Sequence, residues 1–212
     1  PFVNSGRVES QQGTLAFTGG FQNEGGTINL AGGNIEVDGA LQVKQGELSG
    51  TGVVQGNVTL SGTLSPGNSA GQLQIEGDLT AKSGSNTVVE IGGTTAGSTF
   101  DLIEVDGAAT LNGELLLSLL DGFDAKAHKD KAWTVLAAKD DLLGSFANVE
   151  DGERLSVRNG PESFVVNYGP DSPFANNEVV LNDLTVPEPS SLAVFGVGTF
   201  LLFTRRRRAT CS

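Results

Sequence analysis

The chain has 212 residues, a formal net charge of −12 and 30 glycines, about twice the ordinary share of glycine. Its acidity argues against a nucleic-acid partner, because phosphate backbones repel acidic surfaces. One Cys and one His exclude an internal disulfide and a zinc site, so we predict no metal and no cofactor. The chain begins at Pro1 rather than Met, and we expect it to be a fragment or a processed product.

Residues 1–122 consist of short segments in which apolar and polar residues alternate between glycines. In "TINLAG" Ile28 and Leu30 face one side, and in "QLQIEG" Leu73 and Ile75 do the same. A period of two predicts β-strands with one buried face. No segment of this region has a helical period long enough to form a crossover between parallel strands. The predicted class is therefore all-β.

A hexapeptide repeat favours a solenoid over other all-β folds. "IEVDGA" occurs at residues 35–40 and again at residues 103–108. Repeated units of this kind bury their apolar face by stacking on their neighbours, as β-helices do. An antiparallel sandwich with glycine-rich hairpins is the alternative, because the spacing between the glycines is irregular.

The segment "GELSGTGVVQGNVTLSGTLSPGNSAGQLQIEGDLT" at residues 46–80 resembles the passenger-associated strand repeat of bacterial autotransporters. It has that repeat's L-x-G-x-G start, its G-x-L-x-P-G-x-S-x-G turn and its L-x-I-x-G-D-L strand. "VVEIGGTTAGSTFDLIEVDGAATLNGELLLSL" extends the similarity, which covers about residues 45–120. The resemblance implies a right-handed parallel β-helix.

Residues 123–184 differ in texture and carry the only Trp and the only His of the chain. "FDAKAHKDKAWTVLAAKDDLLGSF" is compatible with a short helix or an extended loop. "WTVLAA", "ERLSVRN", "SFVVNYG" and "EVVLNDL" resemble strands separated by turn signals. We predict that this region is a C-terminal β cap of the same domain rather than a separate catalytic domain.

Candidate catalytic residues in the body of the chain have simpler explanations. "GNSAG" at residues 67–71 matches G-x-S-x-G, but a nucleophile elbow places Ser69 before a helix, and "QLQIEGDL" predicts a strand. His128 stands among lysines, as expected of a surface loop. One Trp and one Tyr offer little stacking surface for a sugar. We therefore predict no catalytic residue and a non-enzymatic protein.

The last 28 residues, 185–212, contain three features in a fixed order. The triplet Pro187, Glu188 and Pro189 comes first and an apolar run of twelve residues follows. That run is short for a membrane helix, which needs about 20 residues. The basic cluster after it is expected to stay on the cytoplasmic side of a membrane. The predicted hydrophobic helix comprises Leu192, Ala193, Val194, Phe195, Gly196, Val197, Gly198, Thr199, Phe200, Leu201, Leu202 and Phe203, and the basic cluster comprises Arg205, Arg206, Arg207 and Arg208.

This arrangement resembles the PEP-CTERM sorting signal of Gram-negative bacteria. The resemblance implies an exosortase as processing partner and a transient anchor in the inner membrane. It also implies later delivery to the cell surface or the extracellular matrix, in bacteria that make exopolysaccharide.

The leading hypothesis is an exported, non-enzymatic surface or matrix protein with a β-helical stalk that serves adhesion or associates with exopolysaccharide. Two alternatives remain open. The chain is a fragment of a β-helical polysaccharide-active enzyme whose catalytic part lies upstream, or it is a permanently anchored single-pass membrane protein.

Overall fold

The computed structural model describes residues 1–187, which form seventeen β-strands and no helix. The prediction of an all-β protein is therefore confirmed for this part of the chain. The strands are β1 Phe2–Asn4, β2 Arg7–Ser10, β3 Thr14–Phe17, β4 Phe21–Ala31, β5 Asn34–Leu60, β6 Thr63–Pro66, β7 Gln72–Ile75, β8 Leu79–Ala81, β9 Asn86–Ile91, β10 Leu102–Val105, β11 Ala109–Leu111, β12 Glu114–Leu119, β13 Trp133–Ala138, β14 Leu142–Gly144, β15 Arg154–Ser156, β16 Ser163–Asn167 and β17 Glu178–Thr185.

Strands β1–β14 pair in parallel with one another, and the paired residues lie between 16 positions apart, as for Leu48 and Leu64, and 33 positions apart, as for Ile103 and Leu136. The pairings form three series, each a column of residues in register. The first column contains Val8, Ile28, Leu48, Leu64, Thr87 and Leu115. The second contains Gly52, Leu73, Ile103 and Leu136. The third contains Val58, Leu79, Ala109 and Leu142.

The alternation in the sequence decides which side chains enter the core. Ile28, Leu30, Leu73 and Ile75 are all 0% exposed, as their pattern predicts. Because parallel partners stand at the same height in adjacent strands, each column brings aliphatic side chains into contact with one another. The result is one hydrophobic cluster that runs from Phe21 to the last strand.

The two copies of the repeated hexapeptide bury the same apolar positions. Ile35 and Val37 of the first copy are buried, as are Ile103 and Val105 of the second. The intervening Glu and Asp residues of both copies lie on the outer side of the strands. Each copy therefore contributes two apolar side chains to the core. The first copy continues within β5, whereas the second passes into a bend after Val105.

Close approach of neighbouring strands requires glycine, and Gly46, which lies within β5, is the clearest case. Its φ is +76°, a region that side chains disfavour. A Cβ placed on Gly46 would also collide with the carbonyl oxygen of Gly26 on the preceding strand. Glycine at this position is therefore required both by conformation and by packing.

The pairing becomes antiparallel at the C-terminal end. β13 pairs in parallel with β10 on one edge and antiparallel with β17 on the other. β17 also pairs antiparallel with β16, which pairs antiparallel with β15. The four segments predicted to be strands in this region correspond to β13, β15, β16 and β17. Turns occupy residues 121–130, so of the two structures considered there, the loop is the correct one.

The predicted hydrophobic helix at residues 192–203 lies outside the residues that the structure describes. Within residues 1–187, no helix is long and apolar enough to cross a membrane.

Candidate functional site

The segment predicted to be read by a sorting enzyme begins at the end of β17. This strand lies between β13 and β16 and is hydrogen-bonded to both. Its side chains Val179, Val180, Leu181 and Leu184 are at most 4% exposed. The chain therefore remains part of the sheet until two residues before the Pro-Glu-Pro triplet.

A β-bulge interrupts β17 near its end. Asn182 stands opposite Val165 and Thr185 stands opposite Ser163, so two residues of β17 face one residue of β16. Asp183, one of those two, has a φ of +44° and is the sole non-glycine residue of the described chain with a positive φ. Aspartate tolerates this conformation better than most residues do.

Arg154 of β15 holds the bulge in place. Its Nη1 donates to the carbonyl oxygens of Asp183 (2.9 Å) and Ser163 (3.2 Å). Its Nη2 forms an ion pair with the carboxylate of Asp183. The side chain of Arg154 is 36% exposed and that of Asp183 is 67% exposed, so water weakens the ion pair. One guanidinium therefore ties three strands together at the end of the fold.

The chain leaves the fold immediately after this clamp. Val186 packs against the hydrophobic core, and Pro187 is exposed. The other predicted sorting residues, Glu188 and Pro189, lie outside the described part of the chain, as do the apolar run and the arginines at 205–208. The structure thus places the first residue of the triplet at the surface, one residue beyond the core.

A buried carboxylate, Asp101, lies elsewhere in the fold. It is 0% exposed, and its two oxygens accept hydrogen bonds from the backbone N–H groups of Gly71 and Glu90, both at 2.8 Å. Burial raises the pKa of Asp101 to about 7, although the two N–H groups favour the charged form. Asp101 joins the turn after β6 to β9 and makes no contact with the C-terminal junction.

Sequence reasoning missed Asp101 because its burial depends on residues 30 and 11 positions away. The only local signal is its place just before β10, in the "FDLI" step. Such a position is equally common for an exposed aspartate in a turn.

The G-x-S-x-G match is a turn between two strands. Gly67 has a φ of +79°, and β7 begins at Gln72 with no helix after Ser69. The prediction that a strand follows the motif is confirmed, and the geometry of a nucleophile elbow is therefore not present here.

His128 stacks on Phe123, with 5.4 Å between the ring centroids.

Polar clefts line the outer side of the parallel strands. One open cleft of about 710 Å³ is bordered by Glu36, Asp38 and Glu76, and Gln55 Nε2 donates to Glu76 at 3.0 Å. Among residues 1–187, no three His, Cys, Asp or Glu side chains are arranged to hold a metal ion.

Comparison with known proteins identifies a similarity in the C-terminal segment. The model of the PEP-CTERM protein-sorting motif matches residues 185–208. No curated protein matches the chain significantly. The matched residues begin at Thr185, the last residue of β17, so the motif starts where the clamp of Arg154 ends.

The match confirms the predicted sorting signal. It implies that the chain is an exported protein that an exosortase sorts and processes, and that it reaches the cell surface through the exosortase system of Gram-negative bacteria.

Proposed function

We propose that this chain is a non-enzymatic surface or extracellular-matrix protein in which a β-helical stalk is exported and sorted through the C-terminal signal. The observation that carries the proposal is the sorting motif at residues 185–208 directly after an all-β body. In this proposal the signal passes through an inner-membrane stage before processing.

The proposed stalk is a right-handed parallel β-helix made of residues 1–122, and residues 123–184 form its cap. Three columns of parallel partners support the helix, because strands that recur in the same order on three sides make stacked coils. The resemblance to autotransporter passengers supports the right-handed sense. The antiparallel strands β15–β17 support the assignment of a cap, since a stack of coils needs a terminal unit that covers its last layer.

The proposed role of the stalk is adhesion or association with exopolysaccharide. A long stack of strands presents a repetitive polar outer surface, as the open cleft beside Glu36 and Glu76 illustrates. Nine basic and 24 acidic residues outside Glu188 and the four terminal arginines keep such a surface soluble.

The test replaces Pro187, Glu188 and Pro189 by alanine in the full-length protein, expressed in a bacterium that has an exosortase. We expect loss of processing and retention of the protein at the membrane. Mass spectrometry of the mature C-terminus and surface labelling measure the two effects.

Normal processing and surface delivery of the alanine variant would overturn the sorting proposal. A mature wild-type protein that retains Arg205–Arg208 would instead support the permanently anchored alternative. A triple alanine substitution at Asp171, Ser172 and Pro173, in an exposed turn before β17, is the matched control and should leave processing unchanged.

A further inference from the structure

We propose that the clamp between Arg154 and Asp183 regulates processing, because it limits how often the end of β17 leaves the fold and supplies free chain before the sorting motif. The inference rests on the proposed function, since it presumes that an exosortase reads the Pro-Glu-Pro segment. It concerns the residues before that segment, which belong to the folded body.

The first step of the argument is the lack of free chain. Val186 packs against the core, and Glu188 follows two residues later. Two extended residues span at most about 7 Å. An enzyme that cuts near the triplet must surround an extended stretch of chain, and the folded body occupies the space on the N-terminal side.

The second step concerns the segment that can open. Release of all of β17 would expose Val179, Val180 and Leu181, each at most 1% exposed, at a cost of about 1.5–3 kcal/mol for each side chain. Release of residues 183–186 exposes one side chain that is 4% exposed, Leu184, and the partly buried Val186. It adds about 13 Å of free chain. Local opening of this kind is far more frequent than global unfolding.

The third step identifies Arg154 as the contact that opposes this opening. Its hydrogen bond to the Asp183 carbonyl (2.9 Å) and its ion pair with the Asp183 carboxylate both break when the segment leaves β16. The bonds from Nη1 to Ser163 hold the guanidinium on β16 whether or not β17 is docked. Arg154 is therefore held in position by β16 before β17 docks, and it binds Asp183 when β17 docks.

The positive φ of Asp183 also favours opening of this segment. Its backbone is held in a sparsely populated conformation, which persists only where the surroundings impose it. Loss of Arg154 removes that constraint, so residues 183–186 open more often. When opening and closing are fast, the rate of cleavage follows the population of the open form.

The experiment compares processing rates of the full-length protein by pulse-chase in a strain with exosortase. Arg154→Ala is expected to speed processing by about three- to tenfold, the range for a partly exposed, charge-assisted contact. Asp183→Gly removes the carboxylate and accepts the positive φ, so it should give a smaller increase in the same direction. Arg158→Ala removes an exposed arginine outside the clamp and should leave the rate unchanged.

A second pair of variants separates the clamp from a general loss of stability. Eight Gly and Ser residues inserted between Val186 and Pro187 supply free chain without opening β17. In that background Arg154→Ala should no longer change the rate. Hydrogen exchange at the Thr185 amide should become faster in Arg154→Ala, while the Leu181 amide stays protected.

An unchanged rate in Arg154→Ala, or an increase that persists in the linker background, would overturn the proposed regulation. The alanine replacement of Pro187, Glu188 and Pro189 must block processing in every background. If it does not, the sorting proposal itself fails, and this outcome is distinct from failure of the clamp.

Discussion

The parallel region, β1–β12, and the C-terminal region, β13–β17, where antiparallel pairing begins, differ in the side chains that fill most of their cores. In the parallel region columns of Leu, Ile and Val recur at the same height in successive strands. Aromatic contacts occur at the N-terminal end of the parallel region, where the rings of Phe17 and Phe21 lie 4.5 Å apart. They recur in the C-terminal region, where Trp133 meets Phe164 edge-on at 5.4 Å and Phe146 meets Tyr168 at 5.6 Å. Similar aliphatic residues suit a layer that is repeated, whereas large rings fill the irregular space where repetition ends.

The difference also concerns how the two regions are joined. Trp133 Nε1 donates to the carbonyl oxygen of Gly93, 2.7 Å away in the loop after β9. β13 pairs with β10 on one side and with β17 on the other. The C-terminal region is therefore continuous with the parallel one, and the two are expected to unfold together.

The largest expected effect comes from breaking this junction. Trp133→Ala removes a side chain that is 0% exposed, and large-to-small changes of this kind cost about 3–5 kcal/mol. We expect the free energy of unfolding to fall by that amount in a single transition. Circular dichroism must measure it, because Trp133 is the only tryptophan.

Leu143→Ala is the control for that measurement. Leu143 is 51% exposed, so its loss should change stability by less than about 0.5 kcal/mol. Two separate transitions in Trp133→Ala, one at the midpoint of the parent protein, would contradict the view that the regions unfold together.

Sequence reasoning succeeded in the parallel region for a physical reason. The alternation that marks Leu73 and Ile75 as buried is local, and it needs no knowledge of which strand lies alongside. The sorting motif at residues 185–208 is likewise contained in one short segment. Both features were predicted from the residues that carry them.

The contacts between distant segments could not be predicted in the same way. Arg154 meets Asp183 only because β16 lies between β15 and β17. Asp101 is buried only because the turn at Gly71 and the strand at Glu90 both close over it. Strand β14 was missed because "LLG" is short and lacks an alternating pattern.

We expect an effect of intermediate size on the free energy of unfolding from Asp101. This residue tests a polar contact inside the parallel region. The pKa of Asp101 is about 7 in the folded chain and has an ordinary value of 3.8. At a pH between these two pKa values, Asp101 keeps its proton in the folded chain and loses it in the unfolded chain. The free energy of unfolding therefore falls as the pH rises through this window, by up to about 1.4 kcal/mol per pH unit from this one group.

Urea denaturation at several pH values between 4 and 8 measures that contribution. Asp101→Asn cannot titrate, so the difference in stability between the parent and the variant should change with pH and level off above about pH 7. A difference that stays constant across the range would show that Asp101 does not bind a proton in the folded chain.

The smallest of the expected effects tests whether glycine is required in the parallel region by conformation alone or also by contact between neighbouring strands. Gly46→Ala combines a positive φ with a collision against the Gly26 carbonyl oxygen, whereas Gly13→Ala meets a φ of +69° with no atom within 4 Å. The conformation alone costs about 1–2 kcal/mol, so Gly13→Ala should fall in that range. Gly46→Ala should lose about 1 kcal/mol more, since strand β4 must shift to admit the methyl group. Equal losses for the two variants in urea denaturation would mean that β4 and β5 separate easily at this point. The close approach of Gly26 and Gly46 would then not hold these two strands together, and the C-terminal region would be the firmer of the two regions.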